Sequence, residues 1–537
     1  IAMATFIFVV GAFRPHATWW PVFASLTFVG TLCVSLFELW QHLADTPMFL
    51  SGPLVIDYLG QLLRPLAMLL GLLFTVMMSR VRTRELTSEF MGTLMLTIVG
   101  VLIVARANDL VLLFLGLELV SIPTYILLFL GRRDRASGEA TIKYFFLSIL
   151  SSALLLYGLS FLYGMGGTTA LTGTSDAPGI REVLEGLKQT GGTSANVLTL
   201  APLAVVLILA GLGFKIAAVP FHFYAPDVYQ GTTPGNAALL AVVPKVAGVA
   251  ALIRVLFILN EVSPLTWQLV LIISLLTMTL GNICALWQKN IRRLLGFSSI
   301  AHSGYLLIGL AVALAADAPA VKTGGLGATL FYLAAYSLGS IAAFAALTYL
   351  GDDDRVIDGV DELAGAGKSH PLASGVLAIA MFSFAGIPIF AGFWGKFTLF
   401  TSTIELATGT ASRGMSMWFM TLAIVGALNA AIGAAYYLRV VGAMFFQPET
   451  RPAPGKGGTG AFAAMVAAGV LVLAIGAMPR TALQGAALAG QALRFRATTA
   501  PSAKSAASVD TPTDNPTLVD AGSRGDRAEL DAANAGS

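Results

Sequence analysis

Five ionisable side chains lie deep inside long apolar runs of the chain: Glu118, Lys215, Lys245, His302 and Lys396. Two of the lysines sit at breaks of similar composition. The first break reads GLGFKIAAVPFH over residues 211–222, and the second reads FAGIPIFAGFWGK over 384–396. Each combines glycine, proline and a single lysine. A charge at the centre of a bilayer costs about 2.5–3.5 kcal/mol on insertion scales, so such groups default to a functional reading. The chemistry that suits them is proton movement. Removal from water disfavours an ammonium, and an adjacent carboxylate favours it, so drawing such a pair apart releases a proton. Glu118 and Lys215 suit that pair, Lys245 a central relay and Lys396 an exit-side group. His302, beside Ser298, Ser299, Ser303 and Tyr305, adds an imidazole suited to passing protons near neutral pH.

Each residue also has a plainer reading. Glu118 and Lys215 are compatible with a structural ion pair, and Lys245, beside Pro244, with a packing counter-ion. Lys396 is long enough to reach an interface, and His302 is compatible with a hydrogen-bonded core histidine. His222, at the cytoplasmic end of a span, is an entry group or a satisfied loop histidine. Arg254 and Arg439 read as structural or interfacial, and Arg64 and Glu38 as end-of-span anchors. Asp227 reads as a turn former that caps, and Glu139 with Lys143 as a local pair four residues apart. Trp19, Trp20, Trp40, Trp267, Trp287, Trp394 and Trp418 mostly fall near span ends, as interface anchors do.

The elements that must hold these residues follow from composition. The chain has 537 residues, 56% of them hydrophobic and 11% charged. A soluble domain carries about 25% charged residues, so an ordinary water-soluble enzyme is excluded. Mean hydropathy is +0.79. Apolar runs of spanning length, about 20 residues, fall at 19–41, 58–79, 90–105, 109–130, 141–164, 199–219, 236–258, 267–287, 294–316, 325–350, 372–402, 416–446 and 461–479. The run 1–13 reads as the end of a further helix rather than a signal peptide, because no basic segment precedes it. The expected fold is therefore all-α and polytopic, with about fourteen transmembrane helices, since lipid leaves no partner for unpaired backbone. The net charge of +3 gives no sign of a nucleic-acid partner. Cys33 and Cys284, far apart and inside apolar runs, argue against an iron–sulfur cluster and a disulfide framework.

Residues 1–89 hold the N-terminal helices, and 90–258 and 267–446 hold two sets of five. A C-terminal helix region covers 461–497, and the polar tail 498–537 reads as disordered. In both sets the fourth span is the broken one. Five is odd, so the sets enter the membrane in opposite directions and form an inverted repeat, whose paired breaks point to an ion path. The correspondence extends to Glu118 and His302 on the second spans, and to Lys245 and Arg439 on the fifth. Most loop lysines and arginines, among them Arg80, Arg82, Arg84, Arg132, Arg133, Arg135 and Arg292, follow odd-numbered spans. Those loops should be cytoplasmic and both termini outside. Residues 165–198, rich in glycine and threonine, form the longest outside loop.

Several segments resemble the subunit N family of bacterial respiratory complex I, the proton-pumping NADH:quinone oxidoreductase. They are GFKIAAVPFHFYAPDVYQG at 213–231, NIRRLLGFSSIAHSGY at 290–305, LEL at 117–119, IKYF at 142–145 and AGIPIFAGFWGK at 385–396. The similarity covers about residues 80–447, and the stretch around Pro226, Asp227 and Val228 is its most specific part. The resemblance implies a fourteen-helix antiporter-like fold with one proton channel, and it carries channel positions onto Glu118, Lys215, Lys245 and Lys396. It implies no redox cofactor in this chain, with NADH, FMN, iron–sulfur clusters and quinone held by partner subunits. The implied partners are membrane subunits M and K, the lateral helix of L, and lipid of the bacterial inner membrane. The chain departs from the family pattern at GTTPG over 231–235, at Pro244 before Lys245, and at Ile389. An Mrp-like cation/proton antiporter subunit and a purely structural scaffold are the competing readings.

Overall fold

In a computed structural model, residues 1–498 are described except 16–17, 43–48, 80–86, 132–133, 175–176, 191–196, 318, 353–355, 410–411 and 450–451. The tail expected to be disordered therefore lies almost wholly outside the described residues, as do Arg80, Arg82, Arg84, Arg132, Arg133, Arg355 and Arg451. Residues 1–495 form one compact unit.

The unit is built from helices. The N-terminal group is α1 (Ala2–Gly11), α2 (Trp20–His42) and α3 (Tyr58–Met77). Then follow α4 (Thr87–Arg106), α5 (Leu110–Gly131), α6 (Arg135–Gly166), α7 (Ile180–Thr190), α8 (Ala201–Lys215), α9 (Tyr224–Gly231) and α10 (Pro234–Val262). The next stretch holds α11 (Leu265–Leu286), α12 (Ile291–Ala315), α13 (Pro319–Leu350), α14 (Ala366–Ser369), α15 (Pro371–Ala385), α16 (Ala391–Gly409) and α17 (Arg413–Phe446). Helices α18 (Thr459–Ala477) and α19 (Pro479–Thr498) close it. Among the described residues, 12 helices are long and apolar enough to cross a membrane. The other two expected spans fall on α1, which is short, and on the α15–α16 pair. The sequence did not show the antiparallel ribbon of β1 (Phe49–Ser51) and β2 (Leu54–Ile56). Nor did it show α7, in the supposed loop 165–198. That helix has a polar face, and Ile180 and Leu184 are buried beneath it.

Helix starts follow local chemistry. Asp57 accepts from Gly60 N at 2.9 Å, Asp134 from Ser137 N at 2.8 Å and Asn290 from Arg293 N at 3.0 Å. Thr233 caps α10, with Pro234 at its first turn. These side chains satisfy donors that a helix start leaves unpaired.

The helices that carry Lys245 and His302 are the most enclosed. Helix α12 is buried along its length except at Arg293, and α10 and most of α13 nearly so, whereas α2 and α17 present broad apolar faces outward. Lipid solvates an apolar side chain as readily as a protein core does; the cost of exposure falls on polar groups, which therefore turn inward. Close approach of α11 to α12 depends on glycine. A Cβ at Gly304 would lie 2.5 Å from Met278 N, and one at Gly281 would lie 2.6 Å from Ala301 N.

Both expected breaks are present. Helix α8 ends at Lys215 and the chain turns before α9, with Ala217 at φ 57°. Helix α15 ends at Ala385 and is capped by Gly386, in the left-handed region at φ 86°, and Ile389 follows at φ 87° before α16. Ala217 and Ile389 are the residues other than glycine with positive φ among those described. Such backbone costs on the order of 1–3 kcal/mol and collects at functional sites. Helix α4 packs on α5 as α11 packs on α12, and α6 packs on α8 as α13 packs on α15 and α16.

Candidate functional site

Glu118, on α5, meets Lys215 at the end of α8. The Lys215 Nζ lies 3.5 Å from Glu118 Oε1. Two serines complete the contact. Lys215 donates to Ser121 Oγ at 2.5 Å and to Ser152 Oγ at 3.4 Å, and Ser152 donates to Glu118 Oε1 at 2.5 Å. The lysine side chain is 1% exposed and that of Glu118 is 23% exposed, so the carboxylate lies at the edge of the bundle. It borders a cavity of about 630 Å³ shared with Glu89, Thr93 and Pro123.

Lys245, buried on α10, donates to both the carbonyl and the hydroxyl of Ser299 on α12. Ser299 Oγ also accepts from Tyr336 OH at 2.9 Å and shares a hydrogen bond with Tyr229 OH at 2.9 Å. The Lys245 Nζ sits 4.9 Å from the Tyr336 ring centroid. One turn along α12, His302 Nδ1 meets Tyr332 OH at 2.5 Å and Nε2 meets Tyr437 OH at 2.9 Å. Tyr437 OH continues to Ser298 Oγ at 2.5 Å.

Lys396 uses the second break directly. Its Nζ donates to Phe384 O at 2.7 Å and Ala385 O at 3.4 Å, the carbonyls released where α15 ends. A helix C-terminus carries partial negative charge and attracts a cation. The Tyr305 ring lies 4.8 Å below the ammonium. Among the described residues no carboxylate pairs with Lys245 or Lys396. At the first break, Tyr224 OH donates to Phe214 O at 3.0 Å, and Ser303 Oγ donates to Ile216 O. Val219 N donates to Thr277 Oγ1 at 3.0 Å. Neighbouring hydroxyls thus satisfy backbone that the break frees.

The structure places Lys215, Lys245, His302 and Lys396 in the interior and Glu118 at its edge, in separate hydrogen-bonded groups, and Lys215 and Lys245 share no direct side-chain hydrogen bond. The hydroxyl partners Ser121, Ser152, Tyr332, Tyr336 and Tyr437 were not singled out from sequence. The spacing of Tyr332 and Tyr336, one helical turn apart in an apolar run, was the available signal. Arg254 is structural: it pairs with Asp57 at 3.0 Å and donates to Ala105 O. Arg439 caps α11, donating to Leu286 O at 2.8 Å and Gln288 O at 2.6 Å. Arg64 and Glu38 pair with each other. Two readings need correction. Asp227 is not a turn former. It lies in the first turn of α9 and bonds Arg293 at 2.6 Å and Lys143 at 2.9 Å, while Lys143 keeps Glu139 at 2.7 Å. Trp20 is not an interface anchor, since it is 1% exposed and donates to Arg14 O. Its neighbours Phe6, Trp19 and Phe23 supply enough ring surface to enclose it. The Trp40 side chain lies outside the described residues.

Residues 107–428, which include both breaks and all five site residues, match the NADH:quinone oxidoreductase/Mrp antiporter transmembrane family. An NADH-quinone oxidoreductase subunit N of Rhodospirillum rubrum is 35% identical over 455 residues, 84% of this chain and 87% of the relative. The chain belongs to the subunit N family. A chain in a solved structure of respiratory complex I from Thermus thermophilus is 30% identical with a TM-score of 0.71, over 91% of this chain and 98% of that one. A chain of the Mrp complex from Dietzia sp. has a TM-score of 0.76 at 19% identity, over 93% of this chain and 96% of that one, a likeness of fold alone. This chain thus shares its helical scaffold with a chain of the Mrp complex.

Proposed function

We propose that the chain is a proton-translocating membrane subunit of a bacterial NADH:quinone oxidoreductase. Glu118, Lys215, Lys245, His302 and Lys396 pass protons while quinone is reduced in other subunits. One observation carries the reading: Lys245, His302 and Lys396, each at most 5% exposed, are met by hydroxyl groups and backbone carbonyls, and among the described residues no carboxylate neutralises them. A purely structural charge would be matched by a counter-ion.

The residues divide the work. Glu118 and Lys215 share a proton while paired, and drawing them apart favours the neutral amine on Lys215. Lys245 is cradled by neutral donors and acceptors, so it takes up and gives back a proton without breaking an ion pair. His302, between two tyrosine hydroxyls, passes protons between its ring nitrogens. Lys396 rests on carbonyls at the end of α15. The two five-helix sets act as inverted halves with their breaks on the same path. NADH, FMN, iron–sulfur clusters and quinone belong to partner subunits, among them M, K and L with its lateral helix. The chain lies in the inner membrane with both termini outside.

The test is the purified complex in vesicles with Lys215→Ala, measuring acidification per NADH oxidised. The ratio falls while electron transfer persists. An unchanged ratio in an assembled complex removes the proposal, and sodium-dependent proton exchange by the chain alone favours an antiporter instead.

A further inference from the structure

We propose that Ser152 is the proton bridge between Lys215 and Glu118, an assignment that rests on the proton-relay reading above. The direct contact is 3.5 Å. The Ser152 hydroxyl touches both groups, accepting from Lys215 at 3.4 Å and donating to Glu118 at 2.5 Å.

The other serine on Lys215 leads nowhere. Ser121 Oγ accepts the ammonium, but its own hydrogen is committed to Leu117 O at 2.8 Å. A backbone carbonyl does not keep a proton. Ser152 instead points its hydrogen at a carboxylate, which does. The two hydroxyls therefore have different roles: Ser121 parks the lysine, and Ser152 passes its proton. The shorter Ser121 contact describes the parked state, with the bridge already seated on the acid. Lys215 is the last residue of α8, so a small movement at the break brings its Nζ from one hydroxyl to the other.

The step balances within these three side chains. An N–H bond of Lys215 breaks and an O–H bond forms on Ser152. The former O–H bond of Ser152 breaks and an O–H bond forms on Glu118. Ammonium and carboxylate become amine and carboxylic acid, and one proton has moved with no other reactant. The hydroxyl then rotates to reset, a motion open to serine. Ser152 is buried, so bulk water does not substitute for it.

The test compares Ser152→Thr with Ser152→Val in the whole complex in vesicles, reading protons moved per NADH alongside NADH oxidation. The two replacements share a shape and differ by the hydroxyl, so any packing cost is common to both. The threonine variant keeps the wild-type ratio, and the valine variant falls to that of Lys215→Ala. Ser151→Ala, whose hydroxyl only bonds Gly211 O, stays at the wild-type ratio. Where the larger pair fails to assemble, Ser152→Ala adds no atoms and shows the same loss as valine. A wild-type ratio for the variants lacking the hydroxyl, with Lys215→Ala low, overturns the bridge and leaves the relay. Equal losses for threonine and valine, or a loss in Ser151→Ala, also overturn it. If Lys215→Ala itself is unaffected, the relay reading fails first.

Discussion

Lys245 is the residue whose surroundings say most about the proposed path. Its ammonium meets one serine and one tyrosine ring, a cradle that stabilises a charge without fixing it. Methionine matches the unbranched length of lysine and suits an apolar site, so Lys245→Met removes the ammonium with little change of shape. Protons moved per NADH should fall as far as with Lys215→Ala, and a wild-type ratio removes Lys245 from the path. Asp227 allows a test on the aqueous side. Burial pushes its carboxyl up, but the hydrogen bonds and charges of Lys143 and Arg293 outweigh this and hold it below its usual range. Such a carboxylate stabilises fully above its unfolded value, about 3.9, and the gain is lost as pH falls through the lower folded value. The thermal midpoint of Asp227→Asn should therefore lie below wild type by a constant amount from neutral pH to about pH 4, and the gap should close further down. With the group a third exposed, the gap is on the order of 1 kcal/mol or less. A gap that persists at the lowest pH shows that the charge contributes nothing. The charged residues were legible in the sequence because a charge in an apolar run stands out. Their hydroxyl partners were not, because serine and tyrosine are ordinary in such runs and only packing distinguishes Ser152 or Tyr437 from the rest.

At the scale of elements, glycine, proline and lysine together announced both breaks, and both were found where expected. How the second break is held was not legible, because its support comes from a helix far along the chain. Trp394 Nε1 donates to Gly476 O at 2.9 Å, and a Cβ on Gly476 would stand 2.0 Å from Ile389 O. The break is thus seated against α18 through a glycine. Gly476→Ala should push the backbone at Ile389 away and cost about 1–3 kcal/mol, as overpacking does. Gly375→Ala, inside α15 with open space around it, should cost nothing and stabilise by up to about 1 kcal/mol, as alanine does in a helix interior. Thermal midpoints of the two variants provide the comparison, and equal midpoints show that the seat on α18 is not tight. Helix α7 and the β1–β2 ribbon were missed for another reason. Short elements outside the membrane leave weak periodic signals, and the glycine and threonine content of 165–198 masked the apolar stripe of Ile180 and Leu184.

Across the whole molecule, α10 joins the parts, because Lys245 from the first set reaches Ser299 in the second. Its far end is held by a pair that spans most of the N-terminal half. Arg254 bonds both oxygens of Asp57, at 3.0 and 3.1 Å, and reaches Ala105 O at the end of α4. Both side chains are buried, at 6% and 1% exposure. Removing one partner of a buried ion pair costs roughly 3–5 kcal/mol, because the other charge is left unmatched. Asp57→Asn isolates that cost, since asparagine caps a helix as well as aspartate does and α3 keeps its start. The variant should lose on the order of 3 kcal/mol or more. Arg254→Met removes the stranded charge, so the double variant should recover most of the loss, as apolar replacements of buried pairs often do. The thermal midpoints of the two single variants and the double variant close the cycle. If the two losses simply add, Asp57 and Arg254 are independent and α10 is held by its other contacts. If the double variant recovers stability but moves fewer protons per NADH, the pair also sets the height at which Lys245 meets Ser299.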